Sequence, residues 1–354
     1  MRTVLVVLLL SGCRGDSPED PHRLAVIASL AENVGLVQYK NFESQSEQLA
    51  AVAKAACESM TDESLSGVRD AWWTARGGLK TAEIIQFGPV VEYPDRLGPK
   101  LDDWPVNEDA LDELLEGDSD LSLADFQRMG TATRGLPVVE YLLWGAGEDS
   151  VSALQNNSRR CLAVVGSTAD VAASGARLRE VWQNDWVARL SLPDSADDDA
   201  YDMAQDVIDE WVNRMAFTVE NIRAEKLGKP VGDSAGGERQ PDTIESRYSG
   251  RSLMDANDAL MGVAQVWTGD VELPHLGIQD LVSDSKLVER VDLVLSVAQE
   301  RLSDIPETLE QTVLIEPEII ARAQEALLEL QVSIQVDLAQ ELGVTLAFND
   351  NDGD

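Results

Sequence analysis

The sequence predicts an all-α fold: two tandem four-helix bundles broken by long irregular insertions. Two observations predict it. Apolar residues recur at three- and four-residue steps along most of the chain. No segment alternates apolar and polar residues between turns, as a sheet protein would.

Element by element, residues 24–57 set Ile27, Leu30, Val34, Val37, Leu49, Val52 and Ala56 on one helical stripe. Asp62 can cap a second helix over 63–87, stopped by Gly88-Pro89. A Pro-, Gly- and Asp-rich stretch, 88–134, follows, with a short helix at 107–116 capped by Asn107. The apolar segment 134–145 comes next, then a long helix over 152–191 through Cys161, Leu178 and Trp182. Pro193 to Asp199 reads as a turn and helix start, leading into a helix over 199–226 that ends at Gly228-Lys229-Pro230. Residues 228–247 form a Gly/Asp/Ser-rich loop, and helices over 250–267, 279–303 and 317–342 complete the chain.

Four long helices thus precede residue 195 and four follow it, which divides the chain into bundles at 23–193 and 194–345. Insertions this long in compact domains are commonly functional or disordered, and both are expected to pack near the junction of the bundles. The eight tryptophans, Trp72, Trp73 and Trp182 among them, are expected to pack between helices.

The first 22 residues stand apart. Arg2 precedes the apolar run Val4–Leu10, which is shorter than the roughly 20 residues a bilayer span needs. A charged start, a short apolar run and small residues make an export signal over 1–12. Leu10-Ser11-Gly12-Cys13 resembles a bacterial lipobox, in which Cys13 becomes the lipidated N-terminus and 13–22 a tether. Arg14 directly after it, by the sorting rules of Gram-negative bacteria, favours the outer membrane. The expected location is the cell envelope, with the membrane as partner through Cys13.

With 64 acidic residues against 28 basic ones, the formal charge is −36. That field repels a phosphate backbone and excludes nucleic acid as a partner, while cations are attracted. It equally serves solubility, and scarce Lys is a feature of proteins from salty habitats. Cys57 and Cys161 are either bridged, which an exported protein allows, or two buried thiols. No CxxC or Cys/His cluster offers a structural zinc site.

The segment Gly135-Leu136-Pro137-Val138-Val139-Glu140-Tyr141-Leu142-Leu143-Trp144-Gly145 carries the chemical question. Gly135 permits a sharp bend, Pro137 suits a first helical turn, and Glu140 falls in the second turn of a nearly all-apolar helix. A buried carboxylate must be paired, protonated or bound to a cation. Two readings stay open. Glu140 is an ion-pair partner of Arg134, Arg247 or Arg251, or it lines a cation or ligand pocket at the bundle junction. Glu245, Ser246 and Arg251 form a second candidate cluster. There Ser249 or Ser252 can also serve as helix caps, and Arg251 can pair with Glu245.

Together with Trp72, Arg76, Phe87-Gly88-Pro89, Trp104-Pro105, Leu227-Gly228-Lys229-Pro230, Glu245-Ser246-Arg247-Tyr248-Ser249 and Leu342-Gly343-Val344, this segment resembles the imelysin family. The resemblance implies an exported, all-helical protein of two related bundles, a site between them, and a tie to iron acquisition. Some members were described as metallopeptidases on a Gly-x-His-x-x-Glu motif. Here Pro137 stands at the histidine position and offers no donor atom. The chain has only two histidines, His22 and His275, and no HExxH. The residues therefore argue against a zinc-type peptidase.

No catalytic residue is assigned. A binding protein in metal or iron acquisition is the leading expectation, with an iron or calcium ion, or components of iron uptake, as the candidate partner. A metallopeptidase of the family type and a structural or partner-binding envelope lipoprotein are the alternatives. The tail 346–354 places Asp350, Asp352 and Asp354 at alternate positions, as in part of a calcium loop, but ends before a bidentate Glu.

Overall fold

The computed structural model describes residues 20–193, 201–269, 275–306 and 308–347. The export signal, Cys13, the turn and proposed bundle boundary at 193–199, and Asp350, Asp352 and Asp354 lie wholly or largely outside them. Every regular element among the described residues is helical, and no described helix is long and apolar enough to cross a membrane.

Helix α1 spans 21–58, with a π-helical stretch at Leu30–Gly35. Helix α2 is Asp62–Thr81. Its cap is Thr61 rather than Asp62, because Thr61 and Ser64 exchange side-chain-to-backbone hydrogen bonds (3.1 and 2.9 Å). It stops six residues short of the expected end, where the chain tightens into a 3₁₀ turn at Ala82–Ile84. The first insertion holds the expected short helix, α3, Glu108–Glu116, capped by Asn107. Helix α4 is Leu136–Trp144.

The helix expected over 152–191 is two: a short Ser150–Asn156, then α5 over 158–191. Asn157 makes the break, since its side chain accepts from the backbone N–H groups of Arg159 and Arg160 and starts a new helix.

Helix α6 covers 204–231 and runs through Gly228-Lys229-Pro230 instead of ending there. A π-helical stretch at Ile222–Gly228 has already opened the hydrogen-bond ladder where the proline lacks its N–H. Gly232, at φ +89°, then stops it. Helices α7 (Ser252–Thr268), α8 (Ser285–Ser303) and α9 (317–342) follow, with a short helix, Leu309–Ile315, between the last two.

Helices α1, α2, α4 and α5 pack together, as do α6, α7, α8 and α9. The two groups meet mainly through α2 against α7. That crossing is close because of glycine. A side chain at Gly262 of α7 would lie 2.2 Å from the Thr81 carbonyl oxygen, and one at Gly77 of α2 would strike the Arg251 guanidinium.

Most of the tryptophans pack between helices as expected; Trp104 of the first insertion instead meets Tyr248 of the second (6.2 Å). Trp182 of α5 donates its indole N–H to the Ala31 carbonyl within the π stretch of α1 (3.0 Å), in space left by Gly35. Phe87 sits among Trp182, Trp186 and Trp211 at 5.5, 6.1 and 5.1 Å, so the first insertion, α5 and α6 share one aromatic cluster. Cys57 and Cys161 are bridged, which ties α1 to α5. At the other end, residues 343–347 fold back onto α6. Asn213 donates to the Thr345 carbonyl (2.9 Å) and accepts from the Ala347 N–H (2.9 Å).

Candidate functional site

Helix α4 is fixed at both ends. Gly135 takes φ +86°, and any Cβ there would lie 2.5 Å from the Leu101 carbonyl oxygen, so only glycine fits. Trp72 donates to the Leu136 carbonyl (2.9 Å). Carbonyls of the last turn accept from guanidiniums: Tyr141, which also takes the Gly145 N–H (2.8 Å), and Leu142 from Arg160 (2.8 and 2.9 Å), and Leu143 from Arg69 (2.6 Å). Cations at a helix C-terminus also oppose its dipole favourably.

Glu140 on this helix is fully buried. Its Oε1 accepts from the backbone N–H (2.8 Å) and hydroxyl (2.7 Å) of Ser249 in the second insertion, which in the structure runs over 232–251, and Oε2 has no hydrogen-bond partner. Burial raises its pKa to about 7, against the pull of the Ser249 hydrogen bonds and the Arg76 charge.

The ion-pair reading of Glu140 is corrected. Arg134 pairs with Asp170 (2.5 Å), Arg247 with Glu108 and Asp242 (2.8 Å each), and Arg251 with Asp255 and Asp258. Each guanidinium has other carboxylates within reach. The expected Arg251–Glu245 pair is likewise absent. Arg251 instead lies over the Trp73 ring (5.1 Å).

A charged network lies across the meeting of α2 and α7. Arg76 and Lys80, four residues apart on α2, are buried. Arg76 reaches Asp102 (2.5 Å) and Asp255 (3.0 Å), and Lys80 reaches Glu83 (2.8 Å), Asp102 (2.7 Å) and Glu245 (3.1 Å). Lys226, carried by the π stretch of α6, pairs with Glu83 (3.0 Å) and Glu245 (2.9 Å). Ser246 donates to Asp255 (2.6 Å).

Burial alone would raise the pKa of Asp102, but Arg76 and Lys80 hold it below the usual carboxylate value. Burial acts the same way on Glu245, and Lys226, Lys80 and Arg76 hold it well below. Buried charges persist here because each is paired. Both insertions contribute, Asp102 from the first and Glu245, Ser246 and Ser249 from the second, so they meet at the junction as expected.

The network floors an open cleft of about 480 Å³. Lys80, Glu83, Asp102, Lys226 and Glu245 line it on one side, and Tyr39, Leu178 and Phe217 among its apolar residues. Glu245 therefore lines this cleft, and Glu140 lies outside its lining. Neither serine is a helix cap: Ser249 holds Glu140, and Ser252 donates to the Glu245 carbonyl. Lys80, Glu83, Asp102, Lys226, Asp255 and Asp258 belong to the site and escape sequence reasoning. The one available signal is the Arg76/Lys80 pair, basic at a four-residue step in an acid chain.

A zinc-type donor set does not fit. Pro137 is buried and has no ligand atom, and Glu140 has committed one oxygen to Ser249. His22 contacts the Asp280 carbonyl (2.8 Å), far along the chain from Glu140. No group of three or more His, Cys, Asp or Glu that could hold a metal ion occurs among the described residues.

Two solved structures share the fold. An imelysin-like protein from Psychrobacter arcticum superposes with a TM-score of 0.77 at 17% identity, covering 92% of this chain and 97% of that one. A Parabacteroides distasonis protein, provisionally named an iron-regulated protein A precursor, gives 0.79 at 18% identity, covering 93% and 97%. No curated protein sequence matches the chain. The imelysin family model matches residues 35–336, which takes in α4, both insertions and the whole charged network, and the chain therefore belongs to the imelysin family.

Proposed function

We propose that this chain is a cell-envelope lipoprotein, held by acyl chains on Cys13 at the outer membrane of a Gram-negative bacterium, that serves metal or iron acquisition by binding rather than catalysis. One observation carries the reading: the cleft at the junction is floored by charged side chains drawn from both helix groups and both insertions. Such a floor can answer a ligand by exchanging ion-pair partners with it, which couples the ligand to the relative placement of the two groups.

A bare cation finds the floor carboxylates already neutralised by Lys80, Lys226 and Arg76. The cargo is therefore read as metal inside an organic chelate, whose own carboxylates can take over Lys226. The cleft volume, about 480 Å³, suits a small molecule. The provisional name of the Parabacteroides protein agrees with a tie to iron.

Titration calorimetry of the purified protein with ferric citrate, ferric chloride and calcium chloride tests this. Binding of ferric citrate that weakens at least tenfold in Lys226→Met supports the reading. Identical isotherms for wild type and variant, or no binding of any of the three, overturn it. Peptide hydrolysis abolished by a chelator and by Glu140→Gln would restore the metallopeptidase reading.

A further inference from the structure

A second cleft, of about 530 Å³, opens where α1 faces α2 and α7. Its lining is unlike the rest of the molecule. The chain carries 92 charged side chains, yet none lines this cleft. Instead it presents the amides of Asn33, Gln38, Asn41, Gln45 and Gln265, the backbone at Gly77 and Gly78, and the apolar Val34, Val37 and Met261.

Two of its polar atoms are buried without a partner. Gln38 is 4% exposed; its amide nitrogen donates across the junction to Gln265 (2.8 Å), and its Oε1 has no donor. Gln45 Oε1 is also buried without a donor. It lies against Gly78, where any Cβ would come within 1.9 Å of it. Buried amide oxygens left without donors cost roughly 1–3 kcal/mol each, and a ligand with N–H or O–H groups relieves that cost.

The arrangement selects a ligand class. An ion has no counter-charge in the cleft. A sugar ring or nucleobase has no aromatic face to stack on, because no aromatic residue lines it. What remains is the spacing. The amides at 33, 38, 41 and 45 follow one another along α1 at steps of five, three and four residues, a mean of four. That is about 6 Å at a helical rise of about 1.5 Å per residue. An extended peptide repeats its same-side N–H and C=O groups about every 6.6 Å. Side-chain amides supply both the donors and the acceptors such a backbone needs.

We propose that this groove binds an extended, uncharged segment of polypeptide through its main chain. The amides of α1 read the backbone, and Val34, Val37 and Met261 take small apolar side chains. The inference is independent of the charged junction cleft.

The test uses the full protein and a terminally blocked hexapeptide pool built from Ser, Thr, Ala, Val, Asn and Gln. Bound peptide is read by affinity selection and mass spectrometry. The expected result is retention of members of the pool, reduced at least tenfold when alternate peptide nitrogens are methylated. Retention should fall similarly in the double variant Asn41→Ala, Gln45→Ala, whose fold is checked by circular dichroism; Asn41 is exposed, so its loss leaves the core intact. Chitohexaose and maltohexaose form the competing arm. No retained peptide, equal retention of methylated peptides, equal binding by the double variant, or preferential retention of either oligosaccharide overturns the proposal.

Discussion

Glu140 and Ser249 are 109 residues apart in sequence, yet one carboxylate oxygen of Glu140 accepts both the backbone N–H and the hydroxyl of Ser249. The contact fastens the second insertion to the helix that defines the family motif. It does so with a group that is fully buried and has one oxygen unpartnered.

That relationship sets a pH dependence. The pKa of Glu140 stands at about 7 in the folded chain against 4.5 for an ordinary glutamate. A carboxyl raised by folding contributes its stability in full below the unfolded value, and loses it as pH rises through the folded value. Between pH 4.5 and 7, Glu140 therefore withdraws about 3 kcal/mol. Glu140→Gln keeps an acceptor for Ser249 and cannot ionise. Urea unfolding at pH 5 and pH 8 should show the variant losing less stability than wild type over that interval. Equal losses would refute this account of Glu140.

Gly135 places that helix. Its φ of +86° and the 2.5 Å approach of the Leu101 oxygen to any added Cβ leave no room for a side chain. Gly135→Ala should destabilise by about 1–3 kcal/mol through backbone strain, and by more if the first insertion is pushed away. Thermal unfolding reads the loss. The same shift should release the Trp72–Leu136 hydrogen bond, detectable as a change in tryptophan emission.

The bridge between Cys57 and Cys161 closes a separation of 104 residues. On the chain-entropy model, restraining the unfolded chain over such a loop contributes about 4–5 kcal/mol, less any strain. The double variant Cys57→Ser, Cys161→Ser should unfold at lower denaturant with a native-like helical spectrum. Intact mass without reductant should be 2 Da below the dithiol value, one hydrogen lost per sulfur, about 1 Da each.

Helix periodicity made the fold legible, because burial of one face in a bundle demands it. The long α1, α7 and α9 follow their apolar stripes almost to the residue. Boundaries failed where a side chain outweighed the pattern, as when Asn157 restarted a helix inside an unbroken stripe, or where a π stretch let α6 pass Pro230. The site was half legible. Glu140, Glu245, Ser246 and Arg251 all sit at the junction, yet the partners of Glu140 and Arg251 differ from the ion pairs the sequence offers as one reading. Partnership depends on where two insertions fold, and composition does not carry that. Lys226 shows the difficulty best, since its burial against Glu83 and Glu245 depends on where the second insertion folds.

Arg76 offers the sharpest test of the network. Its guanidinium is 1% exposed and meets Asp102 at 2.5 Å and Asp255 at 3.0 Å, while Glu245 lies at 3.8 Å. Removing one partner of a buried pair strands the other charge, which typically costs about 3–5 kcal/mol. Arg76→Met keeps most of the side-chain volume, so a loss of that size would come from charge rather than packing. The acid limb should move as well. Carboxylates held below their usual values, as Asp102 and Glu245 are, contribute stability that disappears as pH falls through their folded pKa. Without Arg76 those values rise, and acid unfolding should begin at higher pH than in wild type. Unfolding free energies at pH 7 together with acid titrations followed by circular dichroism measure both effects. A variant as stable as wild type at pH 7, with an unshifted acid midpoint, would mean that the network holds its carboxylates without Arg76.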